Sequence, residues 1–263
     1  MKIAGLQTSG TPGDVDANLR ELDAACRAAR EDGAELLITP ELFITGYDIG
    51  DAVLELARTD LLTPVRRIAR EHGIAIVLGA PESDSGACYN SAHFIDRTGT
   101  VIAGHRKSHL FGELDRRYFT AGDRLTSIVD YGGLRIALLI CYDVEFPETV
   151  RAAALAGADL VVVPTAQMEP FEFVAERLLA VRAWENQVYL AYINHDGTER
   201  TLTYVGRSSI VDPSATVLAE ALHGNRLLTA VVDPETVRTA RARNPYLRDR
   251  RPALYASAPP PPS

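Results

Sequence analysis

Short apolar runs alternate along this chain with longer segments whose apolar positions recur every three or four residues. Lys2–Gln7 reads as a strand. Asp16–Glu31 places Leu19, Leu22, Cys26 and Ala29 on one face of a helix, and Gly33 stands where a C-cap glycine belongs. Glu35–Thr39 is then a buried strand stopped by Pro40. Thr63-Pro64 opens a second helix, with proline at the first helical position. Gly73 ends it before the strand Ile74–Leu78. Ala87–Ile95 and Thr100–Lys107 read as strands joined by a turn at Asp96–Gly99, and Ser108–Arg124 as a long polar and aromatic loop. Leu125–Asp130 and Leu134–Ile140 flank a Gly132-Gly133 turn. A helix over Pro147–Ala156, a strand over Leu160–Val163 and a long helix over Phe171–Gln187 follow. Short strands then continue to about Val232, and an arginine-rich stretch, Arg238–Arg251, leads into the end of the chain.

No linker-like composition interrupts this alternation, so residues 1–255 are expected to form one domain. Residues 256–263, rich in proline, are expected to be a disordered tail. One stretch echoes another: DGAELLITPE at Asp32–Glu41 and AGADLVVVPTA at Ala156–Ala166 share a helix end, a Gly-Ala-acid corner, an apolar strand and a proline. Any helix-to-strand corner can look like this, and so can two similar α/β halves packed face to face. Nearly continuous apolar strands between helices fit sheets covered on one face by helices and on the other by a second sheet.

Bulk properties narrow the function. A 46% hydrophobic and 24% charged chain is an ordinary globular balance. A formal charge of −8 disfavours nucleic acid and anionic membrane as partners, since both want a basic face. No apolar run is long enough to cross a bilayer. Three cysteines, Cys26, Cys88 and Cys141, make no disulfide framework and suit a reducing compartment. The opening residues carry no signal pattern, so the expected location is the cytoplasm.

The candidate chemistry sits at strand ends. Leu134–Ile140 runs into Cys141-Tyr142-Asp143, with a helix beginning near Phe146-Pro147. A thiol at a tight strand-to-helix turn is exposed at the sheet edge, close to backbone N–H groups that can hold an oxyanion. Alone, a cysteine after an apolar strand is more often core. Glu41 follows its own strand and Pro40, where apolar surroundings would raise its pKa and make it a proton shuttle. Lys107 ends a third strand and could stabilise an oxyanion or lower a thiol pKa. In isolation Glu41 reads as a solvated loop acid and Lys107 as a surface lysine. Their shared placement strengthens all three, since sites gather at the carboxyl ends of strands in α/β folds. Of the six histidines, His105 and His109 flank Lys107, but no metal-ligand spacing appears, and neither does a GxSxG elbow, a P-loop or a dinucleotide fingerprint.

The blocks TPELFITGY, HRKSHLFGE and LLICYDVEFPE, in that order, resemble the nitrilase or carbon–nitrogen hydrolase superfamily. Tyr89-Asn90-Ser91, RAWEN at Arg182–Asn186, GRSSIVDPSATVLAE at Gly206–Glu220 and RDRRPALY near the C-terminus extend the resemblance over almost the whole chain. It implies an α/β fold that is a four-layer αββα sandwich, paired through helices into a homodimer or higher oligomer. It also implies Glu41 as base, Lys107 as oxyanion stabiliser and Cys141 as nucleophile. The superfamily's second glutamate falls between the lysine and the cysteine. Glu113 is its best match here and Asp115 the fallback. Within the superfamily, ITGYDIGD, KSHLFGELDRRYF and LICYDVEFPE are similar to bacterial amidases acting on 5-aminopentanamide and to stereoselective amide-hydrolysing relatives. PTAQMEPFEF departs from the related segment, which often has Asn where Gln167 stands. Glu169 could receive a substrate ammonium or be a solvated acid near a helix start. Tyr47, Phe111, Tyr118, Gln167 and Phe171 are expected to shape the pocket.

The resemblance implies hydrolysis of a small primary amide through a Cys141 acyl-thioester, with the Tyr142 backbone N–H sharing the oxyanion and no metal or organic cofactor needed. A nitrilase or N-carbamoyl amidohydrolase would use the same residues. A Cys–His hydrolase relying on His109 or His195, and a catalytically silent binding protein on the same fold, are the rivals from other classes.

Overall fold

The computed structural model describes residues 1–256. The tail expected from residue 256 therefore lies outside the described residues, apart from Ala256 at the end of the last helix. In chain order the strands are β1 (Lys2–Gln7), β2 (Leu36–Ile38), β3 (Ala75–Asp84), β4 (Ala87–Ile95), β5 (Val101–Arg106), β6 (Ser127–Tyr131), β7 (Leu134–Leu138), β8 (Leu160–Thr165), β9 (Tyr189–Asn194), β10 (Asp196–Glu199), β11 (Leu202–Val205), β12 (Ser208–Val211), β13 (Val217–Ala221) and β14 (Arg226–Val231). They form two six-stranded sheets, ordered β14-β1-β2-β3-β4-β5 and β6-β7-β8-β9-β12-β13, beside a β10–β11 hairpin.

The two sheets repeat one plan. In each, three parallel strands, β1-β2-β3 or β7-β8-β9, are flanked by an antiparallel strand on one side and two antiparallel strands on the other. The echoed sequence segments supply β2 and β8, the central parallel strand of each half.

Side-chain alternation explains the layering. Leu36 and Ile38 of β2 and Leu160 and Val162 of β8 point between the sheets, into a core shared with Ile3, Val77, Ile136 and Ile193. The intervening Leu37 points outward onto Leu22, Cys26, Val65 and Ile68 of the helices Val15–Glu31 and Leu62–His72. Val161 and Val163 point outward onto Val150, Leu179 and Ala183 of the helices Pro147–Leu155 and Leu179–Asn186. Both faces of each sheet are thus buried, which is why these strands read as unbroken apolar runs. The result is the four-layer αββα sandwich. The sheets approach so closely that a Cβ on Gly5 would lie 2.1 Å from Ile193 Cδ1. No helix among the described residues is long and apolar enough to cross a membrane.

Two elements differ from expectation. The segment read as one long loop contains a helix, Gly112–Tyr118. Its polar positions hid it, because it packs only part of its surface. The helix expected over Phe171–Gln187 contains a π-turn at Val174–Leu178 before continuing as Leu179–Asn186.

Candidate active site

Cys141 follows β7 and opens a 3-10 turn, Cys141–Glu145. Its backbone lies in the left-handed region, φ 43°, which costs a non-glycine residue on the order of 1 kcal/mol. Asp143 secures the turn. Its buried carboxylate accepts from the Ile140 N–H (3.1 Å), from the Ser108 and His109 N–H groups (3.2 and 2.9 Å), from His109 Nδ1 (2.8 Å) and from His105 Nε2 (3.3 Å). One carboxylate therefore ties the Cys141 turn to the segment just after Lys107. Burial pushes the Asp143 carboxyl up, but the two histidines and the Lys107 charge outweigh it and hold it below the usual aspartate range.

Glu41 follows β2 and is fully buried. Its neighbour Leu42 is also left-handed, φ 51°. The chain around Glu41 passes so close to β3 that a Cβ on Gly79 would lie 2.1 Å from Pro40 O and 2.9 Å from Glu41 Cα. Only glycine admits that approach. The Glu41 N–H donates to Thr165 O at 3.2 Å. Thr165 occupies the place in the second echoed segment that Glu41 occupies in the first, so the matching ends of the two halves meet here.

The two Glu41 oxygens differ. Oε1 accepts from Lys107 Nζ (2.7 Å) and Asn90 Nδ2 (2.6 Å). Oε2 is buried and has no hydrogen-bond partner among the described residues. Burial raises the Glu41 pKa, the Asp115 charge adds to that, and Lys107 and Asn90 act against it. Lys107 is buried with a second ion pair, to Asp115 Oδ2 at 2.7 Å. Burial alone would lower the lysine, but Asp115 and Glu41 prevail and keep it a cation. Burial likewise pushes the Cys141 thiol well up, reinforced by Glu41, while Lys107 and the Ala166 N–H oppose it. The resting group is the thiol, beside a carboxylate whose affinity for a proton is raised.

The acid beside Lys107 corrects the sequence expectation. Glu113 projects into solvent, 99% exposed, 3.8 Å from Arg116. Asp115, the fallback, is fully buried and accepts from Lys107, from Tyr47 Oη at 2.7 Å and from the Phe111 N–H at 2.9 Å. Of the residues expected to shape the pocket, Tyr47, Phe111, Gln167 and Phe171 line a cavity of about 10 Å³ against Cys141, joined there by Tyr142. The rings of Phe111, Tyr142 and Phe171 meet edge-on across it. Gln167 is tied at both ends of its amide, accepting from Tyr192 Oη (2.6 Å) and donating to Phe171 O (3.2 Å). Tyr118 lies outside this lining, its hydroxyl on Asp51 at 3.0 Å. Glu169, open in the sequence between an ammonium-binding and a solvated acid, is absent from the lining and exposed. Glu145 lines the cavity instead.

Neither rival histidine faces the thiol. His109 Nδ1 is on Asp143, and its ring stacks on Phe146 with centroids 3.9 Å apart. His195 lies between Thr8 O (3.2 Å) and Glu41 O (2.7 Å). Asn90, Asp143 and Glu145 gave no separate signal in the sequence. Asn90 stood inside a recognised block without a role, and Asp143 and Glu145 followed Cys141 within two and four residues.

The carbon-nitrogen hydrolase family model matches residues 2–242 of the chain. The chain belongs to the carbon–nitrogen hydrolase family. Among its relatives is a Pseudomonas protegens protein named a hydrolase in the pqqF 5′ region. That protein is 42% identical over 97% of this chain and 90% of its own. An (R)-stereoselective amidase from a Pseudomonas species is 35% identical over 95% of this chain and 92% of its own. Among solved structures, an amidase from Nesterenkonia sp. superposes with a TM-score of 0.89 at 37% identity, covering 97% of this chain and 95% of that one. A glutamate-to-glutamine form of that amidase carries acrylamide added to its active-site cysteine. A cysteine-to-alanine form of it is in complex with butyramide.

Proposed function

We propose that the chain hydrolyses small primary amides to the carboxylic acid and ammonia through an acyl-thioester on Cys141. The observation that carries this is the divided Glu41 carboxylate. One oxygen is held by Lys107 and Asn90, and the other is buried without a partner among the described residues, in the same cluster as a thiol. Buried acceptors left without a partner are costly and rare. This one offers the thiol proton a place to go. The cysteine adduct and the butyramide complex of the Nesterenkonia amidase support the same chemistry here.

In this scheme Glu41 Oε2 takes the Cys141 proton as sulfur bonds to the amide carbon and the carbonyl π pair moves to oxygen. The transfer keeps the net charge of the cluster constant, so no buried charge is created. Lys107 has three N–H donors. Two are spent on Glu41 and Asp115, which leaves the third for the oxyanion. The Tyr142 N–H shares that load, because in the first turn of a helix it has no acceptor inside the turn. Collapse breaks the C–N bond, and Glu41 returns its proton to the departing nitrogen, releasing ammonia. Water then attacks the thioester and gives its proton to Glu41. Collapse of that second adduct frees the acid, and the thiolate regains the proton. Asp115 acts by holding Lys107 charged and in place, itself fixed by Tyr47 and Phe111. The exposed Leu155, Val181 and Trp184 on the outer helices support the further reading that two copies pair through this face.

The test is ammonia release from short aliphatic amides, with nitriles and N-carbamoyl compounds as controls. Cys141→Ala should keep its circular dichroism and lose turnover by about three orders of magnitude or more. A quenched wild-type reaction should show an acyl mass on the Cys141 peptide. Near wild-type turnover in the variant, or an adduct on another residue, would falsify the scheme.

A further inference from the structure

Glu199 ends β10, in the hairpin that belongs to neither six-stranded sheet. It is buried, and the scheme above gives it no part. Its carboxylate takes three donors. Oε1 accepts from the Tyr47 N–H (3.0 Å) and the Asp48 N–H (3.0 Å), and Oε2 accepts from Tyr204 Oη on β11 (2.6 Å). The adjacent Arg200 turns to Asp48 instead, at 3.5 Å. A buried carboxylate without a cation on it is tolerated only when hydrogen bonds replace its water. Here two of the three come from the backbone of one loop. That loop is shaped to admit the acid: Gly46 has φ 92°, and a Cβ there would lie 2.8 Å from Glu199 Oε1.

The same loop joins the base to the residue that fixes Asp115. Glu41 stands at its start. Near its end Tyr47 Oη donates to Asp115 Oδ1 at 2.7 Å, and Asp115 Oδ2 accepts from Lys107 Nζ at 2.7 Å. The place of the Tyr47 backbone is thus passed to Lys107 through two hydrogen bonds. The hairpin grips the site at other points as well. His195, just before β10, meets Glu41 O at 2.7 Å. On β11, Thr203 O accepts from the Glu169 N–H (2.9 Å), and the Val205 N–H donates to Gln167 O (3.0 Å). One hairpin therefore holds segment 41–48 from the first half and segment 167–169 from the second.

We propose that Glu199 is a positioning residue for amide hydrolysis: by fixing the Tyr47 backbone it sets Tyr47 Oη on Asp115, and so sets Lys107 where the oxyanion forms. This role rests on the amidase reading and adds to it a group that touches neither substrate nor nucleophile. A displacement of about 1 Å at the reacting groups costs about a hundredfold in rate, so a carboxylate remote from the thiol has leverage.

The experiment is a double-mutant cycle on ammonia release from butanamide, with circular dichroism of each variant. Glu199→Gln keeps the size of the side chain but turns an NH₂ group toward one of the donors. Its kcat should fall about tenfold or more with KM within about twofold, because Lys107 serves the oxyanion rather than the resting amide. Tyr47→Phe removes the hydroxyl that transmits the effect and should lower kcat to a similar degree. In the Tyr47→Phe background, Glu199→Gln should change kcat by less than about twofold, since residues acting through one contact are not additive. A purely structural role for Glu199 gives losses that multiply, and that result overturns the inference. So does a Glu199→Gln enzyme with wild-type kcat, or one whose loss lies in KM. Should Glu199→Gln not fold, the same cycle is run with Glu199→Asp, which keeps the charge and shortens its reach. Multiplying losses in an active enzyme leave the amidase reading standing. A wild-type protein that releases no ammonia from acetamide, propanamide or butanamide overturns that reading and this role with it.

Discussion

Glu113 and Asp115 are two residues apart on one short helix, and a helix turns side chains about 200° over two residues. One therefore meets solvent while the other meets Lys107. Asp115→Asn should lower kcat on a short amide by roughly a hundredfold or more, the scale seen when a group stabilising an oxyanion is lost. Glu113→Gln should stay within about twofold, and steady-state kinetics on the two variants decides between the acids. The same cluster sets a pH limit. Glu41 accepts a proton only when ionised, and burial raises its pKa above the ordinary 4.5. The acid limb of the kcat/KM profile should therefore lie above that value, activity being lost as pH falls through the raised pKa. Glu41, Lys107 and Cys141 were legible as candidates because each ends a different strand at a sheet's carboxyl edge. The choice between Glu113 and Asp115 was not legible, because a segment read as loop carries no face. Glu169 stayed open between pocket and solvent for a related reason: spacing names the acids near a site without saying which way each one turns.

At the level of elements, the 3-10 turn after β7 opens on an unfavourable Cys141 conformation and is held by the Asp143 carboxylate, with Arg182 on the carbonyls of Val144 and Glu145. Asp143→Asn replaces a charged acceptor of five hydrogen bonds with an amide, and should cost about 1.5–3 kcal/mol in urea unfolding. The sign of its pH dependence is fixed. Asp143 has a folded pKa below the ordinary 3.8, so its contribution is present above the unfolded value and lost as pH falls through the folded one. The wild type should lose this increment in acid, and the variant should have none to lose. Strands and long helices were readable because their apolar periods differ, and because both faces of the parallel strands are covered. The Gly112–Tyr118 helix and the π-turn were not readable, since short or irregular helices bury too little to impose a period.

Across the whole molecule, the exposed Leu155, Val181 and Trp184 leave apolar surface on the outer layer of the second sheet. Pairing through this face predicts that Trp184→Asp shifts the species seen by light scattering toward half the mass, with the wild type as reference. The repeated plan of the sheets was audible in the echo between Asp32–Glu41 and Ala156–Ala166, but only the strand order shows that the echoed strands hold equivalent places. That arrangement divides the labour. Glu41, Asn90 and Lys107 come from the first sheet and its edges, whereas Cys141 comes from the second. In the proposed scheme one half carries the proton traffic and the cation, and the other carries the atom that attacks. Neither half, separated from its twin, holds a working set. The symmetry of the plan ends at this seam, where the Glu41 N–H meets Thr165 O and equivalent places in the two halves carry unlike side chains.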